Sequence, residues 1–168
     1  AILDGSGVDP ALEDPLPVLV TPNVDLLVHL DRRDSPVAAD VIRRASYVLA
    51  DGQPVVWASR WLGTPLQTRL AGSTLIAQMW PRLIAEERCV LVIAATEELA
   101  TRVRLDHPGA YVVVPPRFDA DDRAALTAIV ARCAAACGDD VPGHVIVGLS
   151  YPKQYTLIDE MVRSWPGP

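Results

Sequence analysis

Lysine is almost absent from this chain: among fifteen cationic side chains only Lys153 is a lysine, and the rest are arginine. One lysine cannot form a polybasic membrane patch, although arginine can still act locally. Cations are also outnumbered, giving a net charge of −6 and a pI near 4.9. Up to Ile84 there are 7 Lys+Arg and 9 Asp+Glu, and from Ala85 onward 8 and 12. The acidity is therefore spread along the chain, and no basic arm is hidden in it. Phosphate contacts need clustered cations, so nucleic acid is not an expected partner. Long apolar runs are missing too. The longest stretches without a charged side chain, Leu70 to Pro81 and Val141 to Pro152, are too short to span a bilayer. No basic segment leads into an apolar one at the N-terminus, so no signal peptide is expected. The first residue is Ala1 and not a methionine, which is what a missing upstream piece would leave. Cysteine is limited to Cys89, Cys133 and Cys137, an odd count that cannot pair fully within the chain and that points to a reducing compartment. Cys133 and Cys137 are four apart on an expected helix and can share a face. With His29, His107 and His144 scattered, no metal-ligand spacing results, and buried inert thiols are the expectation.

What is present is a chain of 168 residues, half of them hydrophobic and a fifth charged. That excludes a disordered chain and suffices for one domain with a real core. Short apolar runs alternate with helical patterns. Strands are expected at Pro17 to Thr21, Tyr47 to Ala50, Cys89 to Ala95, Tyr111 to Val114 and His144 to Leu149. Helices are expected at Val24 to Asp31, Ser35 to Ala45, Pro54 to Leu62, Ser73 to Glu87, Thr96 to Leu105, Asp119 to Cys137 and Pro152 to Ser164. Ser35 precedes Pro36 as a natural N-cap, and Thr96 precedes the acidic pair Glu97 and Glu98 in the same way. The continuous apolar run from Cys89 reads as a strand buried on both faces. This rhythm implies an α/β fold with a mostly parallel sheet and crossover helices. Residues 1–168 are read as one domain, and residues 1–16 as flexible or incomplete. Of the four tryptophans, Trp57, Trp61 and Trp80 read as core anchors, with an acceptor groove as the other reading. Trp165 reads as an exposed contact for a partner or a further segment.

Several common machineries are absent. No G-x-G-x-x-G follows a strand; Asp4-Gly5-Ser6-Gly7 leads into Asp9-Pro10 and not into a helix. There is no Walker A sequence. Gly148-Leu149-Ser150-Tyr151-Pro152 approaches a nucleophile elbow, but Pro152 replaces the final glycine and no histidine follows Ser150. In a parallel sheet, ligands bind beyond the carboxyl ends of the strands. Thr21-Pro22-Asn23, Asp51-Gly52 and Ser150 to Gln154 fall there. Asp51 is either the cap of the helix near Pro54 or a general base, and spacing alone favours the cap. Asn23 caps the helix beginning at Val24 or holds a polar ligand. Arg69 stands just before the helix that opens at Ser73. It is a surface arginine or, with free backbone N–H groups, an anion site suited to a diphosphate. Pro152-Lys153-Gln154 offers a second site of that kind.

Thr21-Pro22-Asn23, the run from Ala50-Asp51-Gly52-Gln53-Pro54 to Arg60, Leu62-Gly63, Arg69-Leu70-Ala71-Gly72-Ser73, and Val147-Gly148-Leu149-Ser150-Tyr151-Pro152-Lys153-Gln154 occur in that order. Together they resemble the WecG/TagA/CpsF family of bacterial glycosyltransferases, over about Val18 to Glu160. Pro115-Pro116-Arg117-Phe118 is similar to the family's proline-rich segment after the middle strand. The resemblance implies an inverting transfer of N-acetylmannosamine or a related sugar from a UDP-sugar to a lipid-linked acceptor, or to a soluble small molecule in a divergent branch. It implies a Rossmann-like α/β fold, a mostly parallel sheet with helices on both faces, and no metal and no cofactor beyond the donor. It makes Asp51 the general base, with Asn23 near the donor sugar and Arg69 beside the diphosphate. Thr21, Gly52, Gly72, Ser73, Pro152, Lys153 and Gln154 are then donor-binding positions. It further implies a cytoplasmic protein, peripheral at the inner face of the membrane through a C-terminal segment, and it allows a homo-oligomer. The chain departs from the family pattern at Tyr155 (usually Glu), Thr74 (usually Asp), Pro54 (usually Gly) and Ala94-Ala95-Thr96 (usually a glycine pair). A non-catalytic nucleotide-sugar binding module, with Asn23 and Asp51 as helix caps, is the reading from a different class.

Overall fold

In the second half of the chain, Val90–Ala94 is apolar at every position, and a strand of that kind needs cover on both faces. The computed structural model, which describes residues 16–85 and 89–165, supplies that cover. In chain order the described strands are separated by one or two helices, and all strand pairs are parallel. This is the Rossmann-like α/β class that the resemblance implies. The glycine-rich Asp4 to Gly7 and the start up to residue 15 lie outside the described residues, as does the expected end of the fourth helix. The chain divides into two compact units, Ala1–Met79 and Trp80–Pro168.

The first unit holds strand β1 (Leu16–Val20), helices α1 (Val24–Asp31) and α2 (Pro36–Arg44), strand β2 (Ala45–Val48), helix α3 (Gln53–Trp61) and most of α4 (Gly72–Ala85). β1 and β2 form a two-stranded parallel sheet with Leu19 opposite Tyr47 and Val20 opposite Val48. β2 starts and ends two residues earlier than the apolar pattern suggested. Its partner stops at Val20, and Pro22 has no N–H with which to extend the ladder. Val20, Leu26, Ala38, Val41 and Val56 are buried in this unit. Ser35 occupies the N-cap of α2, but its side chain makes no capping bond; Pro36 alone sets the helix start.

The second unit holds β3 (Val90–Ala94), α5 (Glu97–Asp106), β4 (Tyr111–Val113), α6 (Arg123–Cys137), β5 (His144–Gly148) and α7 (Lys153–Ser164). The sheet order is β4-β3-β5, so the connection through α6 crosses over the central strand. Leu91 and Ile93 point into a core with Val113, Phe118, Leu126, Ile129, Val130, Cys133, Cys137, Leu157 and Met161, contributed largely by α6 and α7. Val90, Val92 and Ala94 point the other way by strand alternation, and α5, with buried Ala100 and Val103, packs on the sheet as well. On α6 the buried positions 126, 129, 130, 133 and 137 follow the helical repeat. That helix starts at Arg123 and not near Asp119, because Asp122 is its cap and Asp119 belongs to the turn before it. Thr96 caps α5 as expected, accepting from Leu99 N at 3.2 Å. Cys133 and Cys137 are buried free thiols, and burial pushes both up to about 11.

The tryptophans behave differently from expectation. Trp57 and Trp61 are exposed on α3 and anchor no core. Trp80 is half-buried, edge-on to the His107 ring at 5.9 Å. Trp165 is half-buried against the second unit's core and is not a free contact.

Candidate functional site

At the carboxyl end of the β1–β2 sheet, three chain segments are stitched together by backbone hydrogen bonds. Leu49 N donates to Val20 O (2.9 Å), Asp51 N to Pro22 O (3.0 Å) and Leu70 N to Ala50 O (3.0 Å). The stretches 20–23, 49–52 and 69–72 therefore lie side by side. Thr21, Asn23, Asp51, Gly52, Arg69, Gly72 and Ser73, which the sequence placed in three separate motifs, belong to this one assembly. Each segment leaves a strand or enters a helix here, where backbone groups are not consumed by the ladder.

Asn23 is the N-cap of α1: its Oδ1 accepts from Leu26 N at 2.9 Å. That uses the carbonyl end of the amide, while the amide nitrogen end carries two donors. Asp51 is not a cap. The N-cap of α3 is Gly52, held at φ +145°, and no side chain caps that helix. The Asp51 carboxylate instead faces Arg69, with Oδ1 3.5 Å from Nη2. The two side chains are 29% and 52% exposed, so the pair is open to solvent and to a ligand. The positive φ explains glycine at position 52, since a Cβ there would meet nothing closer than 3.7 Å. Gly72 is glycine for a different reason: a Cβ would sit 2.8 Å from Thr21 Oγ1. Thr21 thus packs directly on the first residue of α4 and holds that helix start against the end of β1. Ser73 is exposed in the first turn of α4, three residues after the strand-like contact at Leu70. A guanidinium followed directly by a helix N-terminus is an arrangement suited to an anion. The shallow depression lined by Leu30, Arg33, Ser35, Pro36, Ala39 and Asp40, between α1 and α2, contains none of these residues.

Pro152, Lys153 and Gln154 lie in the second unit, at the start of α7 beyond β5. The Tyr151–Pro152 peptide is cis, and Pro152 occupies the N-cap. Lys153 Nζ lies 5.0 Å from the centroid of the Phe118 ring, a cation–π contact that fixes the lysine over a buried aromatic. Phe118 was visible in the sequence only as the end of Pro115-Pro116-Arg117-Phe118, and its part in holding Lys153 had no signal of its own. Tyr155, in the first turn of the same helix, is 2% exposed, and burial pushes its phenol up to about 12. It is a neutral group at neutral pH. Gly148, at the end of β5, lets that strand approach β3 closely: a Cβ would lie 3.2 Å from Ile93 O.

Residues 10–167 match the sequence pattern of the Glycosyl transferase WecG/TagA/CpsF family. The chain belongs to that family. It is also 27% identical, over 153 residues, to a Bacillus spizizenii protein named N-acetylglucosaminyldiphosphoundecaprenol N-acetyl-beta-D-mannosaminyltransferase. The match covers 88% of this chain and 56% of that relative, so the chain spans little more than half of the relative's length. Within this member of the family, the Asp-Gly, Arg-x-x-Gly-Ser and Thr-Pro-Asn motifs form one assembly on the first unit. The Pro-Lys-Gln motif opens α7 on the second. Among the described residues no helix is long and apolar enough to cross a membrane.

Proposed function

We propose that this chain carries a glycosyl-transfer site which moves a sugar from a UDP-sugar to an acceptor hydroxyl with inversion, in bacterial cell-surface polysaccharide synthesis. The observation that carries the reading is the Asp51–Arg69 pair at the helix start of α4, open to solvent and not engaged in capping. Transfer needs a base for the acceptor proton and positive charge for the departing diphosphate. Arg69 has donors enough to leave Asp51 for a diphosphate, which the N-terminal N–H groups of α4 would also face. The carboxylate released in this way accepts the acceptor's hydroxyl proton as its oxygen bonds to the sugar's anomeric carbon. The bond from that carbon to the diphosphate oxygen breaks, and UDP leaves as the anion. Asn23 offers its amide N–H groups to the donor sugar, with Thr21, Gly52, Gly72 and Ser73 around it. No metal is invoked. The acceptor is taken to be a lipid-linked saccharide, as the name of the Bacillus relative suggests, and the site to act at the cytoplasmic face of the membrane.

The test joins calorimetry with turnover. UDP should bind the protein, and Arg69→Ala should weaken binding about tenfold, the loss of one charge-assisted contact. Asp51→Asn should keep both fold and UDP binding while lowering turnover about 10²- to 10⁴-fold. An Asp51→Asn protein that turns over like the wild type would refute the base assignment. Tyr155 favours one other reading, binding without transfer, because a buried neutral phenol cannot supply the carboxylate usual at that position in the family. That reading requires UDP binding with no turnover of any UDP-sugar, before any substitution is made.

A further inference from the structure

A turn in the second unit brings two cysteines to one end of its sheet. Cys89 stands directly before β3, and Cys137 is the last residue of α6. Gly138, at φ +62°, stops that helix, and Asp140 N donates back to Cys137 O at 3.1 Å. Three residues on, Gly143 N donates to Cys89 O at 2.8 Å, and Val90 then stands opposite His144 as β3 and β5 begin. Two positions far apart in sequence are thus fastened to the same short turn. Within it, the Cys137 thiol donates to the Cys89 sulfur. Tyr111, opposite Leu91 on β4, donates its phenol proton to the Asp140 carboxylate, and both thiols lie within electrostatic reach of that pair. Sulfurs already in hydrogen-bond contact need only a small movement to reach bonding distance.

The sulfurs differ in access. Cys89 is half-buried, whereas Cys137 is 4% exposed and Cys133, one turn earlier on α6, is fully buried. A small reagent therefore reaches Cys89 first, and Cys137 stands behind it as the resolving thiol. Burial first, and then the Asp140 charge, raises the Cys89 thiol above its ordinary value, against the hydrogen bond from Cys137 that lowers it. Few thiolates form at neutral pH, so attack is slow. The same property makes each sulfur a poor leaving group, and a bond once made between them is slow to reopen. Such a pair suits a lasting cross-link and not a rapid sensor.

We propose that Cys89 and Cys137 form a thiol–disulfide modification site whose co-reactant is a small-molecule disulfide. Cys89, its proton given up to water, attacks one sulfur of that disulfide. The small S–S bond breaks, and one small thiolate leaves and takes up a proton. Cys137, deprotonated in the same way, then attacks the Cys89 sulfur of the mixed disulfide and expels the second small thiol. Two protein thiols are oxidised to one disulfide, and one small disulfide is reduced to two thiols. The inference does not depend on the transfer reading. The experiment treats the folded protein with bis(2-hydroxyethyl) disulfide, a neutral reagent, at mildly alkaline pH. Wild type should lose two hydrogens in mass and keep a single alkylatable thiol after denaturation. Fragmentation of the linked peptides should place the bridge at Cys89 and Cys137, a result that does not hang on any variant folding. Cys137→Ala should stop at one hydroxyethylthio adduct on Cys89, and Cys89→Ser should take neither adduct nor bridge. The bridged protein should melt at a higher temperature than the reduced one, because the cross-link restricts the unfolded chain, and dithiothreitol should reverse the change. Wild type that keeps three free thiols, a bridge that includes Cys133, or one that survives Cys89→Ser would overturn the proposal.

Discussion

Asp51 shows what a single residue's sequence position can and cannot reveal. An acid between a strand and a helix fits an N-cap and a catalytic carboxylate equally well, so spacing left both open. The decision lay in the backbone of the next residue: Gly52 at φ +145° takes the cap position and frees Asp51 to face Arg69. Asn23, in a similar setting, does cap. Gly72 was legible as part of a motif but not as a packing constraint, because its reason is a side chain about fifty positions earlier in sequence. That contact is testable. Gly72→Ala places a Cβ against Thr21 Oγ1 and should cost about 1–3 kcal/mol, the usual penalty of overpacking. Thr21→Ala in the same protein removes the colliding oxygen and should restore most of the loss in a denaturant titration. If the double variant is no more stable than Gly72→Ala alone, the Thr21–Gly72 contact is not what demands glycine.

At the scale of elements, helices with side-chain caps were the easiest to read. Asn23 and Thr96 announce α1 and α5 because an oxygen one residue before the helix satisfies an otherwise open N–H. α6 was placed four residues too early, since Asp119, Asp121 and Asp122 all offer that oxygen and only Asp122 uses it. The exposed face of α3 was misread for a related reason. An apolar stripe in sequence reports a surface that avoids water, and it does not say whether a core or a partner covers it. Asn23 allows capping to be separated from ligand contact. Asn23→Ala should destabilise the protein by about 1 kcal/mol, while Asn23→Ser, which keeps a capping oxygen, should restore stability. Under the transfer reading the serine variant still loses activity, because it lacks the amide donors. Full activity in Asn23→Ser would assign the residue to capping alone.

For the whole molecule, the alternation of strand and helix was legible because each apolar run is bounded by turn residues and each helix by a cap. The partition into a two-stranded and a three-stranded sheet was not, since periodicity is local and pairing is not. The titrating groups also act at this scale. Burial raises the Tyr155 phenol from 10.0 to about 12, and the Cys133 and Cys137 thiols from 9.0 to about 11. Each is held protonated by the fold, so the unfolded chain loses those protons first as pH rises. Stability from these groups is fully present below about pH 9, declines as the thiols and then the phenol titrate in the unfolded state, and is lost by about pH 12. Melting temperature should therefore fall across that window, and less steeply for Cys133→Ala. A slope unchanged in that variant would show that Cys133 does not share in the decline.

The order of the second sheet has a consequence for how the protein is made. β3 is its central strand, yet one of its two neighbours, β5, is synthesised roughly fifty residues later. As the chain leaves the ribosome, Val90–Ala94 waits with one edge unpaired until His144–Gly148 emerges to close it. During that interval the most apolar strand of the protein is available to other nascent chains, and since apolar association weakens on cooling, expression at lower temperature should raise the soluble yield.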